Sequence, residues 1–262
     1  MRPADPILVL DGLSVRVGQA TLLQDVSLSL AKGEVLCIIG ESGAGKSTIL
    51  KAMQGLMPAT CSRFCFGPAG IDVTGQMPNR IGLPRTRWVM QDPLAALNPR
   101  QSLGSSIAES LHRHRLSAEE RKDATLNALA QAELGPEFYD RLPAQVSLGQ
   151  AQRACLARAM IAQPDLIFFD EPLSALDALV QKKIAYRMDL LRNATQMTYI
   201  VVTHDIGFAE SYADQVLVLK DGRVVTYQGR VPFFAAPQSH YASELIAAAD
   251  ALGALRRPEA AE

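Results

Sequence analysis

Apolar positions along the chain form two kinds of pattern that predict strands. Residues 7–17 alternate loosely between apolar and polar side chains, as expected for a strand with one exposed face. Three other segments carry continuous apolar runs bounded by glycine or charged residues, which indicates buried strands. They are 34–40, 166–172 and 198–205. Residues 215–229 are typical of a hairpin that turns at Asp221 and Gly222.

Helical spacing of apolar residues predicts four further elements. They cover residues 46–57, 102–114, 117–134 and 178–193. Ser117 and Glu120 have the spacing of a capping box at the start of the third one. Ser147 and Gln150 have the same spacing, so another helix is predicted from Ser147 to Ala162.

Strands that alternate with helices predict an α/β fold with a largely parallel sheet. Residues 58–90 are rich in Gly, Pro and Arg and are expected to form only short strands and loops. Helices dominate between about residues 92 and 150, where we expect an insert. The last seven residues, 256–262, are expected to form a frayed tail.

Composition narrows the class of protein. The 262 residues are 48% hydrophobic and 20% charged, which suits one large domain or two small ones. A formal net charge of −1 gives no reason to expect nucleic acid as a partner. The four cysteines fit no disulfide or zinc template, so unpaired thiols in a reducing compartment are expected. Since no signal-peptide core and no membrane-length apolar run is present, a cytosolic protein is predicted.

Residues 40–48, GESGAGKST, match the phosphate-binding pattern G-x-x-x-x-G-K-[ST] between a predicted strand and a predicted helix. The glycines allow backbone amides to curl around phosphate oxygens. Lys46 is expected to reach the β- and γ-phosphates, and the Ser47 hydroxyl is a candidate Mg²⁺ ligand. A simple Gly-rich turn is the alternative. The predicted ATP contacts are Gly40, Glu41, Ser42, Gly43, Ala44, Gly45, Lys46, Ser47 and Thr48.

Two carboxylates follow the apolar run at 166–169. Asp170 is expected to hold Mg²⁺ through water. Glu171 is expected to point to the opposite side of the strand and to act as general base on an attacking water. His204 is a candidate to contact the γ-phosphate or orient that water, and Gln91 is a candidate γ-phosphate sensor. A strand that merely ends in a polar turn is the alternative for the carboxylates.

In this order the motifs resemble those of the ATP-binding subunit of an ABC transporter. The matching segments are the phosphate loop at 40–48, Gln91, VSLGQ at 146–150, LIFFDE at 166–171, SALD at 174–177 and His204. The resemblance covers nearly the whole chain and implies a P-loop NTPase fold. The implied parts are an ATPase core with an antiparallel β subdomain (1–91 and 151–235), an inserted helical subdomain (92–150) and a C-terminal tail (236–262).

The resemblance also implies a head-to-tail dimer that hydrolyses ATP with Mg²⁺ and drives membrane permease subunits. The residues at Mg²⁺ are then Ser47, Gln91 and Asp170. The residues that contact ATP bound to the other subunit are Ser147, Gly149, Gln150 and Asp177. The implied partners are the permease, a second ATP-binding subunit and, indirectly, a solute-binding protein, with no nucleic acid. The implied location is the cytoplasmic face of the inner membrane.

Two stretches are similar to those of oligopeptide, dipeptide and nickel importers. They are QDPLAALNPR at 91–100 and PQSHYASELI at 237–246. The longer members carry a cysteine-bearing C-terminal extension, and no cysteine follows Cys155 in this sequence. It resembles the short nickel- or metallophore-type subunits, so import of a peptide, nickel or a metal chelate is expected.

The chain departs from the family pattern at two places. No aromatic residue precedes Phe64, and Val17 falls where an adenine-stacking ring is usual. Arg16 is expected to stack on the base instead. Leu148 replaces the first glycine of the signature, and we expect a functional clamp with altered loop geometry.

Other classes of protein remain as alternatives. One is a soluble ABC ATPase that acts on DNA or ribosomes, and another is the degenerate-site half of a heterodimeric transporter. A GTPase or small-molecule kinase lacks support, because no N-K-x-D motif is present. A regulatory subunit that binds nucleotide without hydrolysing it is disfavoured, because the residues expected for hydrolysis are intact: Lys46, Glu171 and His204.

Overall fold

The computed structural model describes residues 6–79 and 81–255. Its strands are β1 (Pro6–Val17), β2 (Ala20–Ala31), β3 (Val35–Ile39), β4 (Thr60–Phe66), β5 (Ile71–Gln76), β6 (Thr86–Val89), β7 (Leu166–Asp170), β8 (Thr198–Val202), β9 (Gln215–Lys220) and β10 (Arg223–Gly229). Its α-helices are α1 (Lys46–Met53), α2 (Pro93–Ala96), α3 (Leu103–Glu109), α4 (Ala118–Gln131), α5 (Leu148–Met160), α6 (Ala178–Thr195), α7 (Ile206–Tyr212), α8 (Arg230–Ala235) and α9 (His240–Ala251). The tail predicted at 256–262 lies outside the described residues.

The chain divides into two compact units. The first comprises Met1–Pro84 and Thr198–Glu262, and the second comprises Arg85–Met197. In the first unit, an antiparallel sheet has the strand order β2-β1-β4-β5. A second set of strands follows the order β10-β9-β3-β8, in which β3 pairs in parallel with both β8 and β9. The predicted α/β class is confirmed.

The predicted hairpin is formed by β9 and β10, which pair antiparallel. Both turn residues lie in the left-handed region, with φ of 48° at Asp221 and 73° at Gly222. Such φ values are those of a type I′ turn, whose twist matches that of the flanking strands. The segment predicted as a tail contains α9, which belongs to this first unit.

Strand β2 was not predicted from the sequence. Its inward residues alternate regularly from Val26 to Leu30, but Leu23 and Val26 are both buried at a spacing of three. Asp25 lies between them with a φ of 54°, and the pairing of β1 with β2 shifts register there. This β-bulge breaks the period of two that identifies a strand.

The second unit combines the parallel pair β6–β7 with helices α2 to α6. Helix α5 is its centre, since seven of its thirteen residues are buried. Helix α4 begins with the predicted Ser117–Glu120 capping box. Helix α3 ends at Glu109, five residues before the predicted end, because residues 110–113 form turns instead. Within the described ranges, no helix is long and apolar enough to cross a membrane.

Candidate functional site

The phosphate-loop sequence lies where its motif requires, between the end of β3 and the start of α1. Gly43 and Gly45 have φ of 83° and 103°, which side chains rarely allow. A Cβ atom at Gly40 would lie 2.2 Å from the backbone oxygen of Leu219, so only glycine fits there. The loop therefore keeps an all-backbone inner surface, which suits a phosphate chain.

Lys46 is the first residue of α1 and is only 8% exposed. Its ammonium donates hydrogen bonds to the carbonyl oxygens of Gly40 (2.7 Å) and Glu41 (2.9 Å). These bonds hold a buried positive charge at the loop, beside the helix N-terminus. Ser47 and Thr48 follow in the first turn and are half-buried. The residues present fit a nucleoside triphosphate with Mg²⁺.

The loop is also held by the C-terminal helix α9, a contact that the sequence did not predict. The Tyr241 hydroxyl donates to the Glu41 carboxylate at 3.1 Å. The Lys220 ammonium lies 4.4 Å from the centre of the Tyr241 ring, within the range of a cation–π interaction. Burial and the bond to Glu41 raise the pKa of Tyr241. The tyrosine lies about 200 residues from the loop, so no local pattern reveals the contact.

His204 lies in the same unit, two residues beyond the end of β8. Ile38 of β3 pairs with Val202 of β8 in parallel register, so Gly40 and His204 follow the carboxyl ends of neighbouring strands. The His204 side chain is exposed. Asp205 next to it caps α7 by accepting from the Phe208 amide.

Arg16 and Val17, the residues predicted at adenine, end strand β1. Both are exposed, Val17 at 52%. Arg16 lines an open cavity of about 430 Å³ together with Thr60 and Gln76. This cavity is large enough for a planar ring to lie against the guanidinium.

In the second unit, Asp170 ends strand β7 and is 5% exposed. Because β7 ends at Asp170, the prediction that Glu171 continues this strand is wrong. Glu171 has a φ of 48°, in the left-handed region. Its carbonyl oxygen accepts hydrogen bonds from the amide (3.4 Å) and the hydroxyl (3.0 Å) of Ser174. This turn takes Glu171 out of the strand and directs its half-buried side chain independently of the pleat.

Ser147 caps helix α5, and the predicted capping box is confirmed. Its hydroxyl accepts from the Gln150 amide at 3.3 Å, and Gln150 Oε1 accepts from the Ser147 amide at 2.8 Å. Leu148 is the first helical residue and is 50% exposed. The φ of Leu148 is not positive, so a leucine fits this backbone without strain.

Gly149 lies close to the segment that follows Pro172 and leaves little room for a side chain. An added Cβ would lie 3.1 Å from the Ala175 carbonyl oxygen and 3.3 Å from a Leu176 methyl carbon. The start of α5 therefore packs closely on the segment that leads to Asp177. Asp177 caps α6 by accepting from the Val180 amide at 3.1 Å. The structure thus brings the signature and the SALD segment together within the second unit.

Gln91 is exposed and lies two residues after β6 ends. The next residue, Asp92, caps α2 by accepting from the amides of Leu94 and Ala95. The predicted site residues are thus divided between the units. The phosphate loop, Arg16, Val17 and His204 belong to the first, and Gln91, Ser147 to Gln150, Asp170, Glu171 and Asp177 belong to the second.

Known proteins are similar to this chain over most of its length. A sequence model for the family described as ABC transporter matches residues 23–174. A putative peptide import ATP-binding protein of Brucella ovis is 33% identical over 248 residues, which are 93% of this chain and 78% of the relative. A dipeptide transport ATP-binding protein of Haemophilus influenzae is 32% identical over 95% of this chain and 76% of its own length.

Solved structures give the same result for the fold. A dimeric ATP-binding cassette in a post-hydrolysis state with ADP and Pi is 29% identical, with a TM-score of 0.74 over 85% of this chain and 98% of that one. A component of an ABC transporter complex from Clostridium perfringens is 24% identical, with a TM-score of 0.72 over 94% and 95% of the two chains. The second likeness concerns the fold alone.

Proposed function

The chain belongs to the ABC transporter family, and from this we propose that it is the ATP-hydrolysing subunit of an importer for peptides, nickel or metal chelates. As a family member it binds ATP with Mg²⁺ and couples hydrolysis to transport. Relatives named for peptide and dipeptide import, which align with more than nine-tenths of the chain, favour peptides among these solutes. The observation that carries the proposal is the phosphate loop, with Lys46 bonded to two loop carbonyls.

The nine residues from Gly40 to Thr48 are assigned to the phosphates. Only glycine fits at position 40, because an added Cβ would lie 2.2 Å from the Leu219 backbone oxygen. The glycine-rich loop can therefore present its backbone amides to the phosphates. Lys46 supplies positive charge to the phosphates, and the Ser47 hydroxyl binds Mg²⁺. Arg16, beside Val17, stacks on the base through its guanidinium plane.

Asp170 and Gln91 complete the Mg²⁺ ligands, in part through water. Glu171 takes a proton from the attacking water as general base. Its left-handed backbone fixes the carboxylate beyond the strand end, which is the kind of strained position that catalytic residues occupy. His204 orients the water or contacts the γ-phosphate. ATP supplies the transferred phosphoryl group, and catalysis consists mainly of positioning and charge stabilisation.

Ser147, Gly149, Gln150 and Asp177 are assigned to ATP held by a second ATP-binding subunit in a head-to-tail dimer. Ser147 is exposed and lies at the N-terminus of α5, where a backbone dipole favours an anion. In the single chain Ser147 is held by its capping bonds and faces solvent. This position suits contact with a nucleotide that is bound to another subunit.

The remaining partners follow from the transport role. Permease subunits hold the chain at the cytoplasmic face of the inner membrane, and a solute-binding protein delivers the solute to them. Nucleic acid has no part in this function. Chains that co-purify with this one from membranes identify the permease and show whether the second ATP-binding subunit is a copy or a paralogue.

Two measurements test the proposal. Glu171→Gln is expected to abolish ATP turnover while leaving ATP-dependent dimerisation intact. Uptake of labelled peptide, of nickel and of a metal chelate is then compared in cells with and without the chain. Turnover that survives Glu171→Gln contradicts the catalytic assignment, and unchanged uptake of all three solutes contradicts the transport role.

Two positions favour a second candidate, the weaker half of a heterodimeric pair. Val17 replaces a stacking ring and Leu148 replaces a signature glycine. Size-exclusion chromatography of Glu171→Gln with ATP distinguishes the two cases. A dimer of the chain alone supports a homomeric subunit, whereas a dimer that forms only with a co-purified paralogue supports the heterodimer.

A further inference from the structure

A basic cavity of about 440 Å³ lies in the second unit, on residues to which ATP hydrolysis assigns no role. It is lined by Arg85, Arg87, Arg113, His114, Ser110 and Gln163, among others. No carboxylate is among the lining residues. A cavity of this size with several convergent donors has the dimensions of a small-ligand site.

Arg87, on strand β6, is the centre of the cluster. It is half-buried, and its guanidinium donates only to the Thr86 carbonyl oxygen (2.9 Å) among the described residues. Burial lowers its pKa, and the positive charges of Arg113 and Arg158 lower it further. A half-buried cation that is repelled by two others is costly unless an anion is present.

The neighbouring arginines differ in their pairing. Arg85 is neutralised by Asp165, whose carboxylate lies 2.8 Å from its Nε. Arg158 donates to the Ala96 carbonyl oxygen at 2.8 Å. Arg113 is exposed and makes no hydrogen bond or ion pair within residues 6–79 and 81–255. The positive charges of Arg87 and Arg113 are therefore not neutralised by any carboxylate that lines the cavity.

A buried donor beside the cluster gives an independent observation. Trp88 Nε1 is buried and has no hydrogen-bond acceptor in the part of the chain that the structure describes. Trp88, Arg87 and Ser110 all line an adjoining cavity of about 390 Å³, whose one carboxylate, Glu109, accepts from Gln101 at 3.4 Å. Unsatisfied buried donors are rare in native proteins, and Trp88 places one next to the arginine cluster.

Backbone strain occurs on the same cavity wall. Arg85 and Gln163 have φ of 56° and 43° without being glycines. Such residues cost of order 1 kcal/mol each and are concentrated at functional sites. Two residues of this cavity wall therefore have a strained backbone.

We propose that Arg87, Arg113, His114 and Ser110 form a binding site for a phosphate dianion, either inorganic phosphate or the phosphate group of a monoester. A tetrahedral dianion offers three or four oxygens to donors that approach from several directions, whereas a carboxylate offers two oxygens and one charge. The site is separate from the phosphate loop, and its existence does not depend on the importer assignment.

The chain provides its own probe, because Trp88 is its single tryptophan. The experiment is a titration of the full chain with sodium phosphate at constant ionic strength, followed by tryptophan fluorescence. A saturable change is expected, with a Kd of about 1 mM or below. A parallel titration with glycerol 3-phosphate distinguishes the sources. Tighter binding of glycerol 3-phosphate identifies a monoester, and tighter binding of phosphate identifies the free ion.

Variants localise the response. Arg113→Gln, at an exposed side chain that holds no other part of the structure, is expected to weaken binding about tenfold, as is Arg87→Gln. Arg63→Gln, which removes an exposed arginine paired with Asp72, is the matched control and should bind normally. The response must persist in Lys46→Ala, whose phosphate loop is impaired.

Three results overturn the proposal. The first is the absence of a saturable response to either phosphate compound. The second is a response that Arg113→Gln and Arg87→Gln leave unchanged. The third is a response to hexaglutamate but not to phosphate, which makes the cluster a docking surface for an acidic segment instead. ATP turnover is measured separately, so failure here is distinguishable from failure of the transport proposal.

Discussion

The Tyr241 hydroxyl donates a 3.1 Å hydrogen bond to the Glu41 carboxylate and so links the C-terminal helix to the phosphate loop. The ammonium of Lys220, at the end of the hairpin strand β9, lies over the tyrosine ring. A phosphate loop needs a fixed backbone because its amides bind the ligand. Tyr241 is therefore a positioning residue for the loop.

Tyr241→Phe removes the hydroxyl and keeps the ring on Lys220. We expect the KM for ATP to rise a few-fold with kcat nearly unchanged, since the loop is loosened but no reacting group is lost. The free energy of unfolding should fall by about 0.5–1 kcal/mol. Steady-state ATPase kinetics and urea denaturation measure the two effects. Tyr186→Phe, at a tyrosine 57% exposed on α6, is the control that should change neither.

The same bond predicts a pH effect. The folded state raises the pKa of Tyr241 above its ordinary value, so folding favours the protonated phenol. The stabilisation is fully present below pH about 10 and is lost as the pH rises through the raised pKa. Ultraviolet difference titration of the wild type and Tyr241→Phe should show one phenol that ionises late. A phenol that ionises in the ordinary range contradicts the contact.

The left-handed backbone of Glu171 predicts an unusual order of stabilities. Glu171→Gly relieves the strain of a φ of 48°, whereas Glu171→Ala keeps it. Despite the greater chain entropy of glycine, the glycine variant should be more stable by about 1 kcal/mol. Both variants should lack turnover. Equal unfolding free energies would show that residue 171 has ordinary strand geometry.

The close approach at Gly149 predicts a separation of stability from activity. Gly149→Ala gains helix propensity but forces the Ala175 carbonyl oxygen away from a Cβ atom 3.1 Å distant. The two effects should leave stability within about 1 kcal/mol. Turnover should fall at least several-fold because the signature and Asp177 segments shift together. Gly82→Ala, outside any helix and with nothing within 4 Å of an added Cβ, is the control that should leave turnover unchanged.

Thiol chemistry provides a further test, this time of the packing around the cysteines. All four cysteines are free, and Cys65 is the one that is half-exposed. Burial raises the pKa of Cys155 to about 11, so its thiolate is scarce at pH 8. We expect a chromogenic disulfide reagent to modify Cys65 quickly and Cys155 only as the protein unfolds. Fast modification in Cys65→Ser would contradict the burial of the other three.

The sequence predicted those parts of the fold that depend on local patterns. Continuous apolar runs identified β3 and β7, and the spacing of Ser147 and Gln150 identified the start of α5. The bulge at Asp25 hid β2, because one inserted residue cancels the alternation on which the prediction depends. The helix predicted over 102–114 was too long, because its polar basic end, 112–114, continues no buried face.

At the candidate site, motif spacing predicted the loop and the capping box but not their supports. The turn that displaces Glu171 depends on hydrogen bonds from Ser174, which a strand pattern does not encode. The Tyr241–Glu41 bond and the close contact of Gly40 with Leu219 join residues far apart in the chain. Such contacts are set by tertiary packing and have no local signal.

The residues that support the phosphate loop lie about 180 to 200 positions after it in the chain. Gly40 is backed by the Leu219 carbonyl, Ala44 accepts from the Gly222 amide at 3.1 Å, and Glu41 is held by Tyr241. A nascent chain therefore carries the entire loop sequence long before it carries the walls that shape the loop. Nucleotide can assist folding of this region only after the hairpin β9–β10 and helix α9 have left the ribosome.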